Sequence, residues 1–195
     1  MHEIIMATHN LDKVEEVRGI LNKHRLLSLH DLNLMGEIPE TGNTLFENAL
    51  LKVKAIYKMT GRACLADDTG LEVNALSGDP GVYSARYAGD NATPTQNINK
   101  LLKEMEGVND RTATFRTILA YMNEFGQYRF FEGSVDGTIT EFPLGDSGFG
   151  YDPVFVPNGY DLTFALMPSE LKNEISHRKR ALEEFQKYFD LMQLA

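Results

Sequence analysis

Apolar and polar positions along the chain switch repeatedly between two periods, and the switches mark its elements. Glu3 to Thr8 is a short apolar run that reads as an opening strand. Leu11, Val14, Val17, Ile20 and Leu21 recur at helical spacing and predict a helix from Leu11 to Lys23. Leu26 to Leu29 reads as a second strand, followed by a loop from Asp31 to Gly42. Thr44 and Glu47 form a capping box for a helix that runs to Thr60 and stops at Gly61. Its buried face is expected to be Phe46, Ala49, Leu50, Val53 and Ile56 or Tyr57. Lys52 and Lys54 lie off that stripe, where lysines are ordinarily solvated.

Cys64, Leu65 and Ala66 end an apolar run, and Asp67-Asp68-Thr69-Gly70 follows as a polar turn before a short strand over Leu71 to Leu76. Ser77-Gly78-Asp79-Pro80-Gly81 is a strong turn signal, and Tyr83 to Tyr87 is irregular and aromatic. Thr93 with Pro94 opens a helix that buries Ile98, Leu101, Leu102 and Met105 and stops at Gly107. Thr112 to Met122 and Tyr128 to Thr140 predict two long strands joined as a hairpin, with Gly133 and Gly137 marking bulges or a bend. Val154 to Val156 is a further strand, and Lys172 sits in a short helical stretch after Pro168. Ser176 caps a terminal helix expected to bury Ala181, Leu182, Phe185, Phe189 and Met192.

Length and charge narrow the function. At 195 residues the chain suits one domain, spanning 1–195, or one domain with a smaller lobe. A net charge of −9 argues against sequence-independent nucleic-acid binding, though not against a small phosphorylated ligand. No apolar run approaches the roughly 18 residues of a membrane span, and the first ten residues lack the charged n-region of a secretory signal. Without an export signal, the glycosylation sequon Asn91-Ala92-Thr93 reads as chance. A single cysteine, Cys64, excludes an internal disulfide and suits a reducing cytoplasm.

Five stretches carry candidate chemistry. Adjacent carboxylates at Asp67 and Asp68 can bind a hard divalent cation or activate a water, or they can cap a turn. Thr8-His9-Asn10-Leu11-Asp12-Lys13 is a strand-to-helix loop where backbone N–H groups and the helix dipole favour an anion; alternatively Asn10 or Asp12 merely caps the helix. Glu40 lies in a Pro/Gly loop ahead of a helix, a common place for a functional acid. Phe149 and Tyr151, in the glycine-rich stretch Gly145 to Pro153, either form a stacking platform for a flat ring or fold into the core. His177 and Arg178 stand at a helix start, where cations are disfavoured, so they read as facing an anionic or carbonyl-bearing ligand.

Taken together, these motifs resemble the inosine triphosphate pyrophosphatases. The matching pieces are Thr8 to Lys13, Glu40-Thr41-Gly42, Glu47-Asn48-Ala49 with Lys52, and Ala66-Asp67-Asp68-Thr69-Gly70, followed by Gly81 to Tyr87, Phe149 to Pro153, Lys172 and Ser176-His177-Arg178. They occur in family order over nearly the whole chain. The resemblance implies an α/β, two-lobed fold with a long central mixed sheet flanked by helices and a nucleotide cleft between the lobes. It implies hydrolysis of ITP, dITP and XTP to the monophosphate and pyrophosphate, with Mg²⁺, by a homodimer, as a cytoplasmic clearance of deaminated purines.

By position, the resemblance gives the triphosphate to Thr8, His9, Asn10, Leu11, Asp12, Lys13 and Lys52. It makes Asp68 the general base and a metal ligand, and Glu40 the second metal carboxylate. Thr69 touches substrate, and Phe149, Gly150, Tyr151, Asp152, Lys172, His177 and Arg178 bind the base end. His9 departs from the family, which more often has a small residue there. The role of Asp67, metal ligand or turn residue, stays open. Two competing expectations are a nucleotide-binding module without turnover, which Glu40 and Asp68 disfavour, and a pyrophosphatase for modified pyrimidines.

Overall fold

The structure, a computed structural model, describes residues 2–36, 38 and 40–192. The elements run β1 (Glu3–Met6), α1 (Leu11–Ile20), β2 (Arg25–Ser28), α2 (Leu45–Thr60), β3 (Cys64–Val73), β4 (Pro80–Gly81), α3 (Pro94–Glu104), β5 (Thr112–Met122), β6 (Tyr128–Ile139), β7 (Phe155–Pro157), α4 (Ser169–Ile175) and α5 (His177–Met192). Seven strands form one mixed sheet in the order β2-β1-β3-β5-β6-β7, with β4 paired to β3. β1 is parallel to both β2 and β3, whereas β4 is antiparallel to β3 and β7 to β6.

The chain divides into two compact units. The first draws on Met1–Asp68, Thr117–Gly133 and Arg178–Ala195, and the second on Thr69–Arg116 and Ser134–His177. Each has its own core. In the first, Val14 and Val17 of α1 and Leu182, Phe185 and Phe189 of α5 pack with Ile4, Met6 and Leu65 of the strands. In the second, Ile98, Leu101 and Met105 pack with Leu71, Phe115, Phe155 and Phe164.

The hydrophobic pattern locates most elements, and the departures fall where polar groups are buried. The largest concerns Asp67 and Asp68. They do not form a turn after Ala66, because β3 runs unbroken from Cys64 to Val73 and both carboxylates are buried in mid-strand. Strand geometry tolerates them there because each has a cation beside it. The strand then ends at Val73, and residues 74–76 form a 3₁₀ turn.

On α2 the buried face is turned by one residue from the expected stripe. It comprises Leu45, Asn48, Ala49, Lys52, Val53 and Ile56, while Phe46 is exposed. Lys54 is exposed as expected, but Lys52 is not. The cap also differs in detail. Thr44 accepts from Glu47 N as a capping residue should, yet the Glu47 carboxylate accepts from Asn43 N, one residue early. Gly61 ends the helix in the left-handed conformation at φ 63°, which favours glycine.

Three smaller differences follow from local packing. α1 stops at Ile20 because the chain turns through Leu21, whose side chain is still buried in the core. Met192 is exposed rather than buried at the end of α5. Gly137 allows β7 to approach β6, since a Cβ there would meet the Phe155 ring and the Val156 carbonyl.

Candidate active site

Register brings the first group of residues together. β1 is level with Cys64 and Leu65 of β3, and Ala7 N donates to Leu65 O at 2.7 Å, after which β1 ends and β3 continues. Asp67 and Asp68 therefore stand beyond the carboxyl end of β1, next to the loop that leads into α1. Ligand sites of parallel sheets occupy such ends. Asn10 caps α1 by accepting from Lys13 N at 3.2 Å, and Thr8 Oγ1 accepts from Asn10 N at 3.2 Å. Leu11 and Asp12 are exposed in the first turn. The capping reading therefore holds for Asn10, while Lys13 is half-buried beside Asp67 and is not a solvated surface charge.

Alternation along β3 decides what each carboxylate meets. Leu65 and Asp67 face α1 and α5, whereas Cys64 and Asp68 face α2. Asp67 Oδ2 lies 3.0 Å from Lys13 Nζ and accepts from Arg178 Nε at 3.0 Å. Arg178, itself buried, also pairs with Glu16 of α1. Asp68 Oδ1 accepts from Lys52 Nζ at 2.9 Å, and its Oδ2 accepts from Asn48 Nδ2 at 3.2 Å. Lys52 Nζ also donates to Asp67 O at 2.9 Å and lies 2.7 Å from Glu40 Oε1. Glu40 and Asp68, 28 positions apart in sequence, thus share one ammonium.

The two adjacent acids have opposite electrostatics. Burial pushes against ionisation of Asp67, but Lys13, Arg178 and Lys52 together hold its carboxyl well below the usual carboxylate range. Burial of Asp68 dominates instead and raises its carboxyl above the ordinary value; Lys52 and Lys13 oppose the shift and Glu40 adds to it. The two neighbouring carboxyls are thus pushed in opposite directions, Asp67 towards the ionised form and Asp68 away from it. Lys52 is held protonated because Asp68, Glu40 and Asp67 outweigh its burial. Lys13 is lowered, mainly by burial, with Asp67 working against the shift.

His9 lies in the same loop and is exposed. Its Nε2 donates to Gly36 O at 2.9 Å, and its ring meets His30 edge-on at 6.0 Å. It ties the loop before α1 to the segment that leads to Glu40.

The second unit gathers the other predicted residues. Asp152 is buried, and its Oδ2 accepts from Phe149 N at 2.7 Å and from Lys172 Nζ at 2.6 Å. The Lys172 ammonium sits 4.7 Å from the centre of the Phe149 ring. This cluster requires glycine at 148, where φ is 77° and a Cβ would run into Asp152 Oδ2. Gly150 also has positive φ, at 62°. Phe149 is partly exposed, but Tyr151 is not the second half of a platform. It is buried and donates its hydroxyl to Ser84 O at 2.9 Å, so the core reading holds for it. His177 is buried against Phe115 with ring centres 4.9 Å apart and nearly parallel. Thr69 is half-buried on β3.

Sequence reasoning gave no role to Asn48 and Ser84, which it named only within matching motifs, and passed over Glu16 and Phe115. Asn48 was within reach, because it precedes Lys52 by four residues and therefore shares its helix face. Arg178, expected at the base end, has Asp67 and Glu16 as partners.

Among the described residues, no three of His, Cys, Asp and Glu are grouped to hold a metal by themselves. Two convergent carboxylates fit Mg²⁺ nonetheless, since that ion usually takes one or two carboxylates and completes its shell with water and substrate phosphates.

The chain is thus a mixed α/β sheet flanked by helices, with two adjacent buried carboxylates beside a helix-capping loop. The match to known proteins is more specific: the Ham1 family model covers residues 4–188, and the chain belongs to that family. It is 46% identical over 187 residues to a dITP/XTP pyrophosphatase of Christiangramia forsetii, covering 95% of this chain and 98% of that protein. A dITP/XTP pyrophosphatase of Bacillus licheniformis is 47% identical over 97% of this chain and 99% of its own. Among solved structures, the Staphylococcus aureus Ham1 protein superposes with a TM-score of 0.87 at 38% identity, over 96% of this chain and 98% of that one. A HAM1 protein of Coxiella burnetii gives 0.89 at 38% identity, over 97% and 99%.

Proposed function

We propose that the protein hydrolyses the triphosphates of deaminated purine nucleosides, ITP, dITP and XTP, to the monophosphate and pyrophosphate, and that it requires Mg²⁺. The observation that carries this reading is the convergence of Glu40 Oε1 and Asp68 Oδ1 on Lys52 Nζ. A site that only bound phosphate would gain nothing from two carboxylates facing the anion. Glu40 and Asp68 would hold the metal, which when bound supplies charge neutralisation of the phosphates.

The chain's own residues account for the rest. Asp68, with its raised carboxyl pKa, takes a proton from the attacking water. The water oxygen bonds to the α-phosphorus as the bond to the bridging oxygen breaks, and that electron pair leaves on pyrophosphate. Lys13 and Lys52 stabilise the departing charge, and the loop from Thr8 to Lys13 holds the phosphates. Asp67 stays ionised and keeps Lys13 and Arg178 in place. Phe149, backed by Lys172 and Asp152, offers a stacking face for the base, with Gly150 giving the loop its bend. His177 supplies a donor for the 6-oxygen that adenine lacks. A site built around such a donor can reject the amino analogue by about 10⁴–10⁵.

The same reading places the enzyme in the cytoplasm as a homodimer. In support, Phe46, Tyr128 and Phe130 form a chain of ring contacts at 5.2 and 5.6 Å on the first unit, with Phe46 and Tyr128 exposed. Among the described residues no helix is long and apolar enough to cross a membrane.

The test is a panel of ITP, dITP, XTP, ATP, GTP and dTTP with Mg²⁺ and with EDTA, reading pyrophosphate and monophosphate. Deaminated purines should turn over far faster than ATP, and only with the metal. Release of orthophosphate, or equal use of ATP, would sink the proposal. Sedimentation of the purified protein tests the dimer.

A further inference from the structure

We infer that Asn48 sets the spacing of Glu40 and Asp68, acting as a positioning residue that bonds both segments carrying them. This rests on the pyrophosphatase reading above. Asn48 is wholly buried on the face of α2 that also presents Leu45, Ala49 and Val53. An amide there costs stability unless both of its ends are bonded. Its Oδ1 accepts from Gly42 N at 2.8 Å, and its Nδ2 donates to Asp68 Oδ2 at 3.2 Å. Neither end can be exchanged for the other. A backbone N–H can only donate and an ionised carboxylate can only accept, so the amide has one orientation that satisfies both.

The bridge has specific consequences for the two acids. Gly42 lies two residues after Glu40, and a Cβ at Gly42 would come within 2.6 Å of Glu47 Cβ and 2.8 Å of Asn48 Oδ1. Only glycine lets the loop come this close. One helical turn further along the same face, Lys52 holds Glu40 and the other oxygen of Asp68. Each oxygen of Asp68 therefore has a different partner, and the plane of the carboxylate is fixed. Lys52 fixes the distance with a charge that a bound metal would compete with. Asn48 is neutral, so its grip on both segments persists when cations enter.

The test uses Asn48→Ala and Asn48→Asp in the full chain, with ITP and Mg²⁺. Partners that orient a ligand or base behind the reacting atoms typically carry 10–100-fold of activity. We expect kcat to fall by about that factor in both variants, with KM moving less than about threefold, because orientation of the base matters only in the transition state. Hydrogen exchange of the nucleotide-free protein separates the two bonds. The Gly42 amide should exchange faster in Asn48→Ala and stay protected in Asn48→Asp, which retains an acceptor but has no donor for Asp68. Full turnover by Asn48→Asp, or an unchanged Gly42 amide in Asn48→Ala, would overturn the inference. If both variants fail to fold, Gly42→Ala serves instead. It leaves Asp68 and its donor in place but forces the loop away, so normal kcat there would also overturn it. A wild-type protein that releases no pyrophosphate would remove the pyrophosphatase reading, while the exchange measurement would still decide whether Asn48 makes the bridge.

Discussion

Asp67 and Asp68 are consecutive on β3 yet face opposite sides of it, Asp67 towards Lys13 and Arg178 and Asp68 towards Lys52 and Asn48. The side-chain alternation of a strand, rather than any difference between two identical residue types, gives the two acids different partners and opposite electrostatics. That division generates the first two predictions.

Asp68→Asn removes the proposed proton acceptor but keeps the shape of the side chain. Turnover should fall by about 10²–10⁴, the usual worth of general-base catalysis. Nucleotide binding, measured by calorimetry, should persist. Near-normal turnover would mean that another group takes the proton from water.

Asp67→Asn should act on stability instead. It leaves Lys13 and Arg178 beside a neutral amide in a buried setting, and breaking a buried pair costs about 3–5 kcal/mol. Urea unfolding at neutral pH measures it. Because the folded carboxyl is held low, its contribution is fully present above the ordinary value of 3.8 and is lost as pH falls through the folded pKa. The gap between wild type and variant should therefore close only in strong acid. A gap that closed near pH 5 would mean that the pairs are weak.

His24 supplies a pH dependence near neutrality. Among the described residues neither of its ring nitrogens has a hydrogen-bond partner, and its ring packs edge-on against Phe189 at 5.0 Å. Burial holds its pKa below the ordinary 6.5; neighbouring His2 adds to the shift and Asp190 opposes it. The unfolded chain therefore binds a proton first, so stability should fall as pH drops below 6.5 and level off below the folded pKa. His24→Phe should show a smaller loss than wild type between pH 7 and pH 5 in urea titrations. Equal slopes would show that His24 does not contribute.

Gly148→Ala tests the base-end cluster. The new Cβ meets Asp152 at a residue whose φ is 77°, so both strain and contact oppose it. Displacing Asp152 loosens its bonds to Phe149 N and Lys172, and KM for ITP should rise about 10-fold or more with little change in kcat. An unchanged KM would indicate that this cluster does not meet the substrate.

Much of the fold was legible in the sequence because apolar periodicity is a local property. The 3.6-residue spacing of Val14 and Val17, or of Ile98 and Leu101, needs no knowledge of the partner, and the caps at Thr44, Thr93 and Gly61 are set by a few adjacent residues. The candidate chemistry was legible as a set of residue types. What the pattern could not show was burial of charge. Lys52 read as solvated, Asp67 and Asp68 read as a turn, and Tyr151 read equally as platform or core.

The chain's own order of residues therefore determined which segments become strands and helices, and which side chains have the chemistry to grip phosphate or move a proton. Tertiary structure alone decided the pairing of those side chains. Burying Asp68 is tolerable only because Lys52 and Asn48 come to it from a helix that begins 23 positions earlier at Leu45. Burying Asp67 likewise requires Arg178, 111 positions later. Desolvation makes a lone buried charge prohibitive, so the fold settles where each acid finds its cation, and no local stretch of sequence contains both halves of that balance.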